Sequence, residues 1–109
     1  HSRYIIWLEA ARIDFLDYIG CSYVSLQEKK IGLMPVSIDI NYHKPLFFGD
    51  RFDIHISVDS LKHTYVSIKG DVVRGTDLCC TSLVKLACVD ETNWKPMRIP
   101  SYLKEAFDN

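Results

Sequence analysis

The chain has 109 residues, 48% of them hydrophobic, and a formal net charge of −1. This length suits a single domain over residues 1–109, and the hydrophobic content suits a packed globular core. The near-neutral charge, with Lys and Arg scattered, argues against a nucleic-acid partner and against an anionic membrane surface. No apolar run reaches the roughly 18 residues that a membrane span needs.

A helix is predicted over residues 2–19, with Ser2 as a suitable N-cap and Gly20 as a suitable C′ residue. Two apolar stripes run along it. One stripe consists of Tyr4, Leu8, Ala11, Phe15, Tyr18 and Ile19, and the other of Ile5, Ile6, Ile13 and Leu16. We expect one stripe to pack on a sheet and the other to face a second subunit or missing residues.

Strands are predicted from Pro35 onward, because the hydrophobic period changes there from 3.6 to 2. The predicted strands cover residues 36–43, 52–59, 65–73 and 78–89, and a short helix follows over 101–107. Arg74-Gly75-Thr76-Asp77 is typical of a hairpin turn. One helix followed by antiparallel strands predicts an α+β fold whose sheet buries one face against the helix.

The four cysteines and four histidines do not form a recognisable disulfide or metal motif. Cys79 and Cys80 are adjacent in a predicted strand, so their side chains point to opposite faces. There is no Cys-x-x-Cys pair, and the histidine spacing predicts no metal site. We therefore expect reduced thiols in a cytoplasmic protein, without a cofactor.

Glu9 is a carboxylate on an apolar part of the predicted helix. Ile5 and Ile13 lie four residues to either side of it, and Leu16 lies seven residues after it. Because an unpaired buried charge is costly, a salt bridge to Arg12 or a backbone hydrogen bond would be one explanation. The other is a carboxylate that faces a cleft as a nucleophile or general base. The residues alone leave both open.

The start of this helix and one loop are further candidate sites. Free N–H groups at His1–Arg3, at the positive end of the helix dipole, can bind an anion or an oxyanion. Leu46-Phe47-Phe48-Gly49 forms either core or a wall for an apolar ligand. His43, His55 and His63 are expected to be solvated, and Lys44, Lys69, Arg74 and Lys85 are either phosphate contacts or ordinary surface charges.

Four stretches of the sequence together resemble one known enzyme family. They are His1-Ser-Arg-Tyr4-Ile-Ile-Trp7-Leu8-Glu9-Ala-Ala-Arg12, with Phe15-Leu16 and Gly20 after it; Ile40-x-Tyr42-x-x-Pro45 with Gly49-Asp50-x-Phe52; Leu86-x-Cys88-Val89-Asp90; and Met97-Arg98-Ile99-Pro100. In order and spacing they resemble the hotdog-fold acyl-CoA thioesterases, in particular the 4-hydroxybenzoyl-CoA thioesterase-like branch. That branch includes 1,4-dihydroxy-2-naphthoyl-CoA hydrolases.

The resemblance implies a hotdog fold, in which an antiparallel sheet wraps around one long central helix. It implies a homodimer or tetramer that hydrolyses an acyl-CoA thioester to a free acid and CoA at the dimer interface. Family members begin with a strand that ends in a motif like Asp-x-x-Gly-x-Val-Tyr-His, whose last His matches His1. The sequence is therefore expected to lack the family's first strand and its catalytic Asp.

The resemblance also assigns roles to residues of this chain. The backbone N–H of His1 matches the family's oxyanion contact, and Glu9 matches the helix carboxylate of other hotdog thioesterases. Tyr4, Phe47 and Phe48 are the expected substrate contacts. A hotdog hydratase or dehydratase, in which His1 pairs with Glu9, is one alternative function. A non-catalytic acyl-binding dimer or an inactive truncated one is another.

Overall fold

The computed structural model describes residues 2–47 and 49–108. The elements in chain order are α1 (Ser2–Tyr18), α2 (Tyr23–Glu28), β1 (Ile31–Tyr42), β2 (Asp53–Leu61), β3 (Tyr65–Arg74), β4 (Asp77–Asp90), β5 (Lys95–Pro96) and α3 (Ser101–Asp108). All strand pairs are antiparallel, in the order β1-β4-β3-β2, and β5 pairs with β4. The predicted α+β fold is therefore confirmed. Among the described residues, no helix is long and apolar enough to cross a membrane.

Helix α1 ends in a cap built around Gly20. Gly20 has φ 85°, and its amide donates to the Asp17 carbonyl at 3.0 Å. The Cys21 amide donates to the Leu16 carbonyl at 2.9 Å. Glycine suits this left-handed position because it has no Cβ, so the predicted C′ residue is confirmed. At the other end Ser2 is already helical rather than a preceding cap, and His1 lies outside the described residues.

The buried face of α1 differs from the predicted stripe. Leu8, Arg12 and Leu16 are buried, whereas Tyr18 is 89% exposed. Residues spaced by four span only ~80° around the helix, so they form a narrow face on which the helix lies against the sheet. Arg12 takes a buried position because its aliphatic stem packs like an apolar side chain. The predicted stripe that contains Tyr18 is therefore wider than the buried face of α1. Leu16 lies on this buried face, and its assignment to the second stripe is wrong.

The core consists of two clusters along α1. The larger one lies where the C-terminal half of α1 meets α2, α3 and the sheet. Its fully buried members include Leu16, Leu26, Val66, Leu86 and Leu103. The smaller one lies under the N-terminal half of α1 and consists of Leu8, Val72 and Cys80. Partly buried residues from the ends of β1 and β2 pack against this smaller cluster, so it adjoins the candidate site.

Strand β3 approaches α1 closely at Gly70. A Cβ at this position would lie 2.8 Å from Leu8 Cδ2 and 2.9 Å from Ser82 Oγ. The Ser82 hydroxyl also donates to the Gly70 carbonyl at 3.3 Å. The missing side chain at Gly70 therefore lets the first half of α1 lie directly on the sheet.

The predicted strands are all present, but β1 starts earlier than predicted. Pro35 marked the predicted boundary because the hydrophobic period changes there, and proline cannot donate to a strand ladder. In the structure Pro35 lies inside β1, opposite Leu86, beside a register shift between Pro35 and Ser37. Proline is tolerated there because β1 is an edge strand. Helix α2 and strand β5 were not predicted, since both are too short to give a periodic signal.

Several apolar side chains of the edge strand β1 are exposed. Met34, Val36 and Ile38 are 44%, 57% and 49% exposed. On α1, Ile5 and Ile13 are 41% and 37% exposed, and Ile5 lines the same small cavity as Ile38. We call these five residues the β1–α1 surface. Within the described chain, the second apolar stripe of α1 is therefore only partly buried, except at Leu16, which is fully buried.

Candidate functional site

An aromatic cluster surrounds the N-terminal end of α1. The Tyr4 ring packs edge-on against Trp7, with 5.8 Å between centroids, and against Tyr42 at 5.2 Å. Trp7 packs against Phe52 with 4.8 Å between centroids. Tyr42 ends β1 and Phe52 immediately precedes β2, so the helix start and two strand ends converge here.

Two cavities open on this cluster. The first, of about 400 Å³, is lined by Tyr4, Tyr42, His43, Lys44 and Pro45. The second, of about 390 Å³, is lined by Arg3, Tyr4, Trp7, Leu46, Phe47, Gly49, Asp50 and Phe52. Tyr4 belongs to both linings and therefore lies between the cavities. Each volume falls within the range of small-molecule sites, roughly 300–1,000 Å³.

Tyr4 is also in contact with the loop between β1 and β2. Burial raises the pKa of the Tyr4 hydroxyl above its usual value, and a hydrogen bond with the Leu46 backbone opposes this effect. A raised pKa keeps the hydroxyl protonated at neutral pH, so it can donate a hydrogen bond. The helix start and the loop are thereby joined at the mouth of the cavities.

The predicted substrate contacts are only partly described by the structure. Tyr4 and Phe47 come together at the second cavity, although Phe47 is 64% exposed. Phe48 and His1 lie outside the described residues. Sequence reasoning did not place Tyr42 or Phe52 in the site, because their proximity to α1 arises only when the sheet folds over the helix.

Glu9 lies on a different side of α1 from Tyr4, since five residues correspond to ~140° around a helix. It is exposed, and it lines a small cavity of about 20 Å³ rather than either large one. Among the described residues Glu9 forms no ion pair, so the alternative of a salt bridge to Arg12 is wrong. The carboxylate faces the side of α1 where β1 has its unpaired edge.

Arg12 lines the same small cavity and is only 7% exposed. Its Nε is enclosed, with no hydrogen-bond partner in the part of the chain that the structure describes. An enclosed N–H donor without an acceptor is unfavourable, because it loses its hydrogen bonds to water and gains none in return. One feature of the sequence indicates this burial. Arg12 lies four residues from both Leu8 and Leu16, and therefore on the same face of the helix.

The four cations considered as phosphate contacts are engaged with their own chain. Lys44 pairs with Asp77, Lys69 with Asp71, Arg74 with Asp50 and Asp77, and Lys85 lies over the Tyr65 ring. His43 is exposed, as predicted, and its Nε2 lies 3.3 Å from Thr81 Oγ1. Each of these four cations therefore has a side-chain contact within its own chain.

The thiols are poor candidates for a nucleophile. All four cysteines are unpaired and buried. Burial raises the pKa of the Cys88 thiol to about 11, and it also raises the pKa of Cys21 and Cys80. The reactive thiolate is therefore scarce at neutral pH. Within residues 2–47 and 49–108, no group of three or more His, Cys, Asp or Glu could hold a metal ion.

The arrangement suits a ligand that has an apolar group and a carbonyl. The aromatic cavities can bury the apolar group, and the start of a helix can stabilise negative charge that develops on an oxygen. A carboxylate farther along the same helix can serve as a base or a nucleophile. Acyl transfer to water requires these parts, but one copy of the described chain does not bring them together, because Glu9 lines neither of the two large cavities.

Comparison with known proteins gives a consistent result. The family model described as the thioesterase-like superfamily matches residues 1–107. The acyl-CoA thioesterase YbgC of Haemophilus influenzae is 26% identical over 98% of this chain and 79% of its own length. The similarity therefore extends over nearly the whole chain.

Two solved thioesterases share the fold. The DHNA-CoA thioesterase of Staphylococcus aureus is 25% identical, with a TM-score of 0.86, over 99% of this chain and 75% of that chain. A gentisyl-coenzyme A thioesterase is 25% identical, with a TM-score of 0.86, over 100% of this chain and 85% of that chain. These structures are similar to the chain from α1 to α3.

Proposed function

The chain belongs to the thioesterase-like superfamily, and we propose that it hydrolyses an acyl-CoA thioester to a free acid and CoA at a site shared by two copies. The observation that carries the proposal is the opening of the α1 start on two aromatic-lined cavities. The named activities of the similar proteins support the reaction class. We place the reaction in the cytoplasm, because a reducing compartment suits four unpaired thiols.

Negative charge develops on the thioester carbonyl oxygen as the carbonyl carbon is attacked. Backbone N–H groups at a helix start stabilise such charge, and we assign this contact to the backbone N–H of His1. We assign Tyr4, Phe47 and Phe48 to the walls around the acyl group. The place of Tyr4 in the linings of both cavities supports its part in this wall.

We assign the reacting carboxylate to Glu9. It either attacks the carbonyl carbon, forming a mixed anhydride that water then hydrolyses, or takes a proton from the water that attacks directly. In both routes the carbon–sulfur bond breaks and the CoA sulfur leaves with a proton. One water is consumed, and one carboxylic acid and one thiol are produced.

A second copy of the chain on the β1–α1 surface would complete the site around Glu9. An exposed apolar edge strand is normally covered, and a two-fold interface covers it with the same surface of a second copy. We therefore propose a homodimer, or a tetramer built from two such dimers.

The proposal is tested by the release of free CoA thiol from aromatic and short-chain acyl-CoAs. The protein used should include any natural residues that precede His1, and in that form Glu9→Gln decides between Glu9 and the family's Asp before His1 as the reacting carboxylate. Release from at least one of the two classes is the expected result. No release from any of them contradicts the proposal. Hydration of an enoyl-CoA without thiol release would favour the hydratase alternative.

A further inference from the structure

We call the loop between β1 and β2, residues 43–52, the cavity loop. Its described residues, 43–47 and 49–52, have little backbone pairing of their own. Its start is held by the Cys79 carbonyl, which accepts from the amides of His43 at 2.8 Å and Lys44 at 3.1 Å. Near its end, the Asp50 amide donates to the Phe47 carbonyl at 3.0 Å. The stretch between these bonds depends on side-chain contacts for its position.

Arg74, the last residue of β3, supplies those contacts. Its Nη1 donates to the Pro45 carbonyl at 2.7 Å and to Asp50 Oδ2 at 3.1 Å. Its Nη2 lies 3.5 Å from Asp77 Oδ2, across the hairpin turn. The same Asp50 oxygen accepts the Phe47 amide at 2.7 Å. One guanidinium group therefore ties both sides of the cavity loop to the β3–β4 hairpin.

This ion pair is more sheltered than an ordinary surface pair, since the Arg74 and Asp50 side chains are each only 26% exposed. The Phe47 amide and the Arg74 guanidinium hold the pKa of the Asp50 carboxyl below its usual value. A second tie joins Lys44 Nζ to Asp77 Oδ1 at 2.9 Å. Asp77 thus pairs with both Lys44 and Arg74, and we call these three residues and Asp50 the network around Arg74.

The cavity loop forms one side of the site. Leu46, Phe47, Gly49 and Asp50 line the cavity of about 390 Å³ together with Tyr4 of the helix. Any outward movement of this loop would widen that cavity and separate the Leu46 backbone from Tyr4. The shape of the site therefore depends on the contacts that hold the loop.

We propose that Arg74 is a positioning residue, which holds the cavity loop against the helix start and thereby selects the acyl group that binds. The identity of the ligand rests on the proposed function, whereas the role in the loop rests on the contacts alone. The planar guanidinium bonds a carbonyl and a carboxylate of the loop at once. A lysine at this position keeps the charge but cannot reproduce that fork.

The kinetic test compares Arg74→Met and Arg74→Lys with the natural enzyme on aromatic and short-chain acyl-CoAs. Loss of the loop wall should raise KM for the aromatic substrates about tenfold, while kcat changes less than about twofold. Arg74→Lys should give an intermediate KM. Arg98→Met is the matched control, because it removes an exposed arginine of the C-terminal segment and should leave KM unchanged.

Limited trypsin digestion tests the loop without any activity. Arg51 is exposed and lies in the loop, so trypsin can cut after it when the loop opens, whereas Pro45 protects the bond after Lys44. Arg74→Met should be cut after Arg51 about tenfold faster than the natural protein and Arg98→Met, at a temperature where all three remain folded.

Faster cutting together with a raised KM supports the proposal. An unchanged cutting rate in Arg74→Met overturns it, and so does faster cutting with an unchanged KM. If the natural protein releases no CoA from any substrate, the proposed function fails. In that case the cutting rate still decides whether Arg74 holds the loop.

Discussion

Glu9 and Arg12 lie one helical turn apart on α1 and line the same cavity of about 20 Å³, yet within the described chain they do not pair. The cation is buried against the sheet, while the carboxylate stays exposed toward the free edge of β1. An i,i+3 ion pair would have been available at little cost. Within the described chain, this separation leaves Glu9 without an ion pair and the Arg12 Nε without a hydrogen-bond acceptor.

Replacement of Glu9 tests whether its carboxylate takes part in the proposed reaction. Glu9→Gln keeps the size and polarity of the side chain but removes the charge, so CoA release should fall at least about 100-fold. Circular dichroism and sedimentation should show an unchanged fold and assembly. Glu105→Gln, at an exposed position of α3, is the matched control. Unchanged turnover in Glu9→Gln would make Glu9 a structural residue.

A charge on the β1–α1 surface tests the proposed assembly. Val36 is 57% exposed on β1 and Val24 is 67% exposed on α2. A lysine at Val36 would be buried without a partner in a two-fold interface, so Val36→Lys should convert the dimer to monomers in sedimentation velocity. Val24→Lys should leave the dimer intact. If Val36→Lys still sediments as the natural protein does, the interface lies elsewhere.

The elements that depend on local signals could be predicted from the sequence. Period-2 alternation predicted β2 and most of β1. Strands β3 and β4 were also predicted, and the Gly75-Thr76 turn joins them as expected. Gly20 ended α1 because a left-handed residue is needed there. By contrast, Pro35 is tolerated inside β1 only because that strand lies at the sheet edge. Strand order is a tertiary property that no local pattern contains.

The candidate site was predictable at the helix start and at Phe47 of the loop, which lines the second cavity. Tyr4 was expected to contact the substrate, and it does line both cavities. Its neighbours Tyr42 and Phe52 come from two other elements, so their proximity could not be read from spacing. Arg74 resembled an ordinary surface charge because its acceptors are far away in sequence. The positions of His1 and Phe48 stay predictions.

The close approach of β3 to α1 makes Gly70 sensitive to any added atom. Gly70→Ala places a Cβ 2.8 Å from Leu8 Cδ2 and 2.9 Å from Ser82 Oγ, which should destabilise the fold by about 1–3 kcal/mol in denaturant unfolding. Leu8→Ala alone should cost ~2–5 kcal/mol by leaving a cavity. The double variant should be less destabilised than the two effects added, since the contact of the new Cβ with Leu8 is relieved while that with Ser82 remains. Simple additivity would show that Leu8 does not limit the space at Gly70.

The network around Arg74 predicts a specific dependence of stability on pH. The Phe47 amide and Arg74 lower the pKa of Asp50, and Lys44 and Arg74 lower that of Asp77. A carboxyl whose pKa is lower in the folded state stabilises the fold fully above its unfolded value, about pH 3.9. That stabilisation is lost as the pH falls through the folded value.

Asp50→Asn should therefore melt below the natural protein at neutral pH, and the gap in Tm should close as the pH falls below about 3.9. Asparagine keeps the shape of the side chain but cannot form the ion pair with Arg74. Asp14→Asn, at an exposed position of α1, controls for the loss of one negative charge. Thermal unfolding followed by circular dichroism from about pH 7 down to about pH 3 measures the gap for both variants. A gap for Asp50→Asn that stays constant over this range would show that the charge of Asp50 does not hold the cavity loop.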